Sequence, residues 1–245
     1  MQALVAVKPV LNPSAPLRFA SDESGIDLRG VRTVLNPVDE VAVEEAVRLR
    51  DGGAVAAVIA VSVGSAGCEI ALRAALAIGT DRALLVQSPA ALEPLAVAKL
   101  LAAVSRAESI GLALLGRRSA DDGSGQVGPM LAALLDWPQA IASVMLTIHG
   151  ITATAVRHYD GGQESVEVSL PGVVTVELRL NAPRVPSLVR VLRARAHPLE
   201  RVAGDPIPPA QHQLIRVTPA IRRRTGTKVP DATALIARLH AAGIV

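Results

Sequence analysis

The chain has 245 residues, half of them apolar, with 25 Lys and Arg against 22 Asp and Glu for a net charge of +3. Cys68 is the one cysteine, which excludes a disulfide framework or a cysteine metal cluster, and three aromatics (Phe19, Trp137, Tyr159) provide no stacking platform for nucleic acid. The longest apolar runs, such as AVAAVIAV at 54–61, fall short of the ~20 residues that span a bilayer, and MQALVAVKPV at the start has no secretion pattern, so a cytoplasmic protein without a transmembrane segment is expected.

Short β-branched apolar runs alternate with helical patterns as far as about residue 150. ALVAVK (3–8) reads as a strand buried on both faces and leads into a long connection, 9–35, in which SDESGIDLRG resembles a hairpin or excursion. VDEVAVEEAVRLR (38–50) has helical periodicity, with Asn36 placed to cap it, Pro37 at the first turn, Asp39 and Glu40 on the favourable end of the dipole, and Glu44 spaced to pair with Arg48. AVAAVIAVSV (54–63), CEIALRAALAIG (68–79), RALLVQS (82–88), LEPLAVAKLLAAVSRA (92–107) and GLALLG (111–116) continue the alternation of strand and helix. This rhythm predicts βαβ units and a parallel sheet.

Beyond residue 140 the pattern changes. ASVMLTI, ITATAVRHY, ESVEVSL and VVTVELRL read as further strands, the alternation in ESVEVSL marking an antiparallel pairing with one wet face. PLERVAGDPIPPAQHQ is proline-rich and extended, and DATALIARLHAAG closes the chain as a helix. Residues 1–197 are expected to form the α/β domain and 198–245 an arm.

In an open parallel sheet, ligands bind beyond the carboxyl ends of the strands. That rule selects the loops KPVLNPSAP, VGSAG, QSPA and RRSADDGSGQVGP. GSGQVG at 123–128 has the G-x-G-x-x-G spacing, yet it follows the fourth strand and no acid lies about 20 residues on to hold a ribose, so it is not the NAD fingerprint. Its glycines and Ser124 at a helix start still offer N–H donors to a phosphate. Asp121 and Asp122 read as helix caps, Cys68 as a buried inert thiol, and the five histidines show no metal-ligand spacing. No nucleophile and base motif is present, so the chain is expected to be no enzyme in its own right.

Together LVAVK (4–8), NPVDEVAVEEAVRLR (36–50), VIAVSVG (58–64), ALRAALAIGTDRALLV (71–86), PLAVAKLLA (94–102) and above all VRHYDGGQESVEVSLPGVVTVELRLNAPR (156–184) resemble the β subunit of the electron transfer flavoproteins over nearly the whole chain. The resemblance implies an open, mainly parallel five-stranded nucleotide-binding sheet flanked by helices, of the adenine-nucleotide-hydrolase-like (HUP) type, with additional strands. It implies a heterodimer with an α subunit that holds most of the redox FAD and over which the C-terminal arm extends. The β chain of the family buries an AMP, and it helps pass electrons from flavin-dependent dehydrogenases to an acceptor of the quinone oxidoreductase type. The positions that match its nucleotide site are Ala6, Asn36, Pro37, Val38, Asp39, Val63, Ser119, Ala120, Asp121, Asp122, Gly123, Ser124, Gly125, Gln126, Val127, Gly128, Pro129 and Met130.

Some positions depart from the family pattern. Gly123, Gly125 and Pro129 stand where polar residues are usual, and QVGP is similar to electron-bifurcating relatives that hold a second FAD in place of AMP. Both nucleotides, and a non-redox nucleotide sensor of the same fold, therefore stay open. Val38 stands for an aromatic near the flavin and Pro13 for a tyrosine of the first loop. VPSLVRVLRAR (185–195) aligns with the family's recognition loop, in which a leucine matching Leu188 enters a pocket on the dehydrogenase. An apolar anchor ringed by Arg184, Arg190, Arg193 and Arg195 has the layout of a hot spot with a charged rim, whereas an amphipathic helix would pack Leu188, Val191 and Leu192 inward.

Overall fold

The computed structural model describes residues 1–16, 18–20, 25–27, 29–88, 92–204, 212, 215, 218 and 226–245. In chain order its elements are β1 (Gln2–Ala6), β2 (Pro9–Leu11), β3 (Arg18–Phe19), β4 (Ile26–Asp27), β5 (Thr33–Leu35), α1 (Pro37–Asp51), β6 (Ala57–Gly64), α2 (Glu69–Ile78), β7 (Arg82–Gln87), α3 (Pro94–Ala107), β8 (Ile110–Gly116), α4 (Val127–Leu135), β9 (Gln139–His149), β10 (Thr152–Tyr159), β11 (Gly162–Ser169), β12 (Gly172–Val176), α5 (Leu188–Ala196), β13 (Glu200–Ala203) and α6 (Ala232–Ala241). They fall into two bodies, residues 1–16 with 28–213 and residues 17–27 with 214–245.

In the first body the strand order is β11-β10-β9-β12-β8-β1-β6-β7-β13. From β9 to β13 every neighbouring pair is parallel, and β10 and β11 add an antiparallel hairpin to β9. The five central strands β12, β8, β1, β6 and β7 form the expected mainly parallel sheet, with the additional strands flanking it on both sides. Strand periodicity explains the two cores. Ala3 and Val5 of β1 point to one face and pack with α1 and α2, whereas Leu4 points to the other and packs with α3 and α4. The central strands are therefore covered on both faces, as continuous apolar runs require.

Several sequence expectations shift at their ends. VVTVELRL stops being a strand at Val176: Glu177 N makes a last bond to β9 at Ser143 O, 2.9 Å away, and Leu180 N then closes a turn on Glu177 O at 3.1 Å. The extended segment after 197 begins with β13, parallel to β7 and fixed by Arg82, which bonds Glu200 at 2.6 and 2.7 Å and Glu108 at 2.7 and 3.1 Å. Residues 205–211, the rest of that proline-rich stretch up to His212, lie outside the described residues, as do residues 21–24 of the expected excursion.

The second body contains the β3–β4 pairing and α6. Asp231 caps α6, its carboxylate accepting from Ala234 N at 2.8 Å. No residue of α6 is buried, and Leu235 and Ile236 are exposed.

Candidate functional site

The direction of winding reverses at β1. The chain runs from β1 through α1 to β6 on one side, then returns through α3 to β8 on the other. A crevice opens at the carboxyl ends of strands where the order reverses. A cavity of about 560 Å³ lies there, at the ends of β1, β6 and β8 and the start of α4, a size ordinary for a small-molecule site.

Eleven predicted residues line it: Ala6, Asn36, Asp39, Val63, Ser119, Asp122, Ser124, Gly125, Gln126, Val127 and Gly128. The other seven support it from behind or beside. Pro37 and Val38 open α1, Ala120 and Asp121 hold the loop, Gly123 makes its turn at φ +65°, and Pro129 and Met130 belong to the first turn of α4. Lys8, Gly64, Ser65, Arg117 and Arg118, which lie in loops the strand-end rule selects, also line the cavity, as do Cys68, Pro94, Val97 and Leu101; none of these nine was among the residues expected to bind nucleotide. The helical pattern of 92–107 held no signal that Pro94, Val97 and Leu101 face the cavity, since that depends on how α3 packs on the sheet.

Asn36 occupies the N-cap position of α1 but makes no capping bond there, contrary to expectation. Its side chain crosses to the loop after β8: Nδ2 donates to Arg118 O at 3.2 Å, and Oδ1 accepts from Ala120 N at 3.2 Å. Nδ2 also donates to Asp39 Oδ1 at 2.9 Å. Asp39 Oδ2 accepts from Lys8 N at 3.0 Å, so one carboxyl joins β1 and α1 at the cavity wall. Burial pushes that carboxyl up to about 7, the hydrogen bonds from Asn36 and Lys8 opposing the rise.

The aspartates of the loop are likewise not helix caps, because the residue before α4 is Gln126. Asp122 Oδ1 accepts from Ser124 N at 2.8 Å and Ser119 Oγ at 2.9 Å, folding the loop on itself, while Asp121 pairs with Lys8 at 2.7 Å. Three loop amides are consumed by this turn: Asp122 N on Asp121 Oδ1, Gly123 N on Ser119 O and Ser124 N on Asp122 Oδ1. The amides of Gly125, Gln126, Val127 and Gly128 have no such acceptor among the described residues. Those of Val127 and Gly128 begin α4, where helix geometry leaves N–H groups unpaired and the dipole is positive.

Two of the glycines are required by shape. Gly125 has φ +63°, and a Cβ there would sit 3.1 Å from Arg117 O. At Gly128 a Cβ would come within 2.4 Å of Thr175 Cγ2, so only glycine lets α4 lie this close to β12. The spacing that mimics a dinucleotide fingerprint thus serves a tight turn after β8 and the close approach of α4 to β12.

The residues expected to meet a partner lie on α5 and the segment before it. Ser187 caps this helix, and Ala194 is its one buried residue. Leu188 is 73% exposed and Leu192 52%, so of the three residues of the amphipathic reading only Val191 is half-buried. The arginines differ in role. Arg184 bonds Glu44 at 2.8 Å and reaches Asp51 at 3.4 Å, and Arg190 donates to Ile78 O at 2.9 Å. Arg193 and Arg195 are exposed and form no ion pair among the described residues.

Comparison with known proteins agrees with this geometry. The family model described as "Electron transfer flavoprotein domain" matches residues 25–206. The electron transfer flavoprotein subunit β of Bradyrhizobium diazoefficiens is 40% identical over 249 residues, covering 100% of both chains. That of Sus scrofa is 40% identical over 250 residues, with 99% of this chain and 98% of the relative covered. The mitochondrial protein of the same name from Arabidopsis thaliana is 37% identical over 244 residues, covering 98% and 97%. These relatives favour neither the sensor nor the bifurcating alternative. No helix among the described residues is long and apolar enough to cross a membrane. With an open parallel sheet, a crevice at its reversal point and full-length relatives of one name, the chain belongs to the electron transfer flavoprotein family as a β subunit, with a role in electron transfer.

Proposed function

We propose that this β subunit holds an adenine nucleotide, AMP, in the cavity at the end of β1, with the phosphate on the amides of Gly125, Gln126, Val127 and Gly128. The row of unpaired N–H groups at the start of α4 carries this reading, since it supplies donors and a positive dipole end to an anion without a bulky side chain in the way. The redox FAD is held mostly by an α subunit, and this chain turns over no substrate of its own. It helps carry electrons from flavin-dependent dehydrogenases to a downstream acceptor of the quinone oxidoreductase type. Leu188, exposed on α5 between Arg184 and the exposed Arg193 and Arg195, is the contact offered to the donor.

The test is the nucleotide content of the heterodimer. The chain is purified with its α subunit, the nucleotides are extracted, and they are counted by chromatography. One FAD and one AMP per heterodimer are expected. A preparation with FAD and no adenine nucleotide on this subunit overturns the cavity assignment, and two FAD overturn the choice of AMP.

A further inference from the structure

Two aspartates beside a phosphate cradle are electrostatically unfavourable. Burial would raise Asp121, but bonds from Lys8 and Ser119 outweigh it and hold the carboxyl below its usual range. Burial would raise Asp122 too, and the Ser124 and Ser119 bonds hold it down in the same way. Both are charged at neutral pH, in the same loop that leads to the N–H groups of Gly125, Gln126, Val127 and Gly128. A phosphate brought to Gly125 and Gly128 would meet two like charges.

Lys8 is the one cation that reaches them among the described residues. Its Nζ stands 2.7 Å from Asp121 Oδ2 and 3.5 Å from Asp122 Oδ2. Arg117 is taken by Glu177, and Arg118 lines the same cavity without an ion pair among the described residues. The backbone of Lys8 is fixed at both polar groups, N on Asp39 Oδ2 at 3.0 Å and O receiving Asn36 N at 3.0 Å. The ammonium is therefore rooted in the cavity wall rather than in the loop it neutralises.

We infer that Lys8 is the counter-charge that allows this acidic loop to receive a phosphate, and so sets the preference of the site for a phosphorylated nucleoside over the uncharged one. The inference rests on the nucleotide reading above. Lys8 and Asp121 are each about two-fifths exposed, so the effect is partial and screened by salt.

Equilibrium dialysis on the complete heterodimer, freed of bound nucleotide, tests it with AMP and adenosine as probes. Lys8→Met should weaken AMP roughly three- to tenfold at low ionic strength and leave adenosine unchanged. The AMP deficit should shrink in ~0.5 M salt, and adding Asp121→Asn to Lys8→Met should restore most of it. Equal losses for AMP and adenosine assign Lys8 a structural role and overturn the inference, as does an unchanged AMP affinity. A parent heterodimer that takes up neither compound overturns the nucleotide reading itself, and this inference with it.

Discussion

Asn36 Nδ2 lies 2.9 Å from Asp39 Oδ1, and its second proton goes to Arg118 O at 3.2 Å. Both amide protons are therefore used within the protein, and Oδ1 receives Ala120 N. A residue expected to touch the nucleotide is placed to hold the loop proposed to bind it. Asn36→Ala should cost ~1–3 kcal/mol of stability, because it strands Ala120 N and Arg118 O at a partly buried seam, and should lower AMP content with it. Thermal melting and nucleotide extraction check both, and a variant with unchanged melting temperature contradicts the tethering role.

Asp39 makes this seam sensitive to pH. Its carboxyl is raised from 3.8 to about 7, so the folded protein binds the proton more tightly than the unfolded chain. For a raised acid, the stabilising contribution is complete below the unfolded value and declines as pH rises through the folded one. Between pH 4 and about 7, Asp39 should therefore reduce stability with each step upward. Asp39→Asn has no proton to lose, so its melting temperature should fall less from pH 5 to pH 8 than that of the parent. Equal slopes for the two proteins exclude Asp39 as the titrating group.

The framework was legible in sequence because the central strands are apolar on both faces and alternate with helices of clear period, α1 coming after the excursion that follows β1. The strand-end rule led to the loops that line the cavity for the same reason, since it depends on strand order and not on side-chain chemistry. Long-range pairings were not legible. Asn36 meets Arg118 and Ala120 across more than 80 positions, and the polar type that makes it a good cap also makes it a good tether. Asp121 and Asp122 misled in the same way, because proximity to α4 in sequence suggested caps while Lys8, over 110 positions away, takes their charge. The α5 helix was legible as a pattern, but which side of it faces solvent depends on where α2 lies.

Gly128 offers a direct test of the cradle's shape. Gly128→Ala places a methyl 2.4 Å from Thr175 Cγ2 and should cost ~1–3 kcal/mol through overpacking between α4 and β12. Thr175→Ser removes the opposing methyl and keeps the hydroxyl that accepts from Ala142 N at 3.0 Å. Combined with Gly128→Ala it should recover most of the lost stability, measured by denaturant unfolding of the heterodimer. If the double variant is no more stable than Gly128→Ala alone, the clash with Thr175 is not the cause.

Leu188 separates docking from packing on one substitution. Its side chain is 73% exposed, whereas Ala194, further along α5, is buried and Val191 half-buried. The lead into the helix is held by Arg184 on Glu44, a carboxylate that is 2% exposed, so Leu188 is presented from a fixed segment. Leu188→Ala should change stability by no more than ~0.5 kcal/mol, as for a surface residue. Electron uptake from the dehydrogenase should nevertheless fall about tenfold or more, equivalent to ~1.4 kcal/mol of lost complementarity at the contact. Val191→Ala is the contrasting variant, expected to lose ~1 kcal/mol of stability while its folded fraction accepts electrons at the parental rate. Rapid-mixing reduction of the heterodimer by its dehydrogenase, paired with thermal melting, reads both quantities. A Leu188→Ala protein reduced as fast as the parent would leave α5 without a docking role and confine its leucine to an exposed surface.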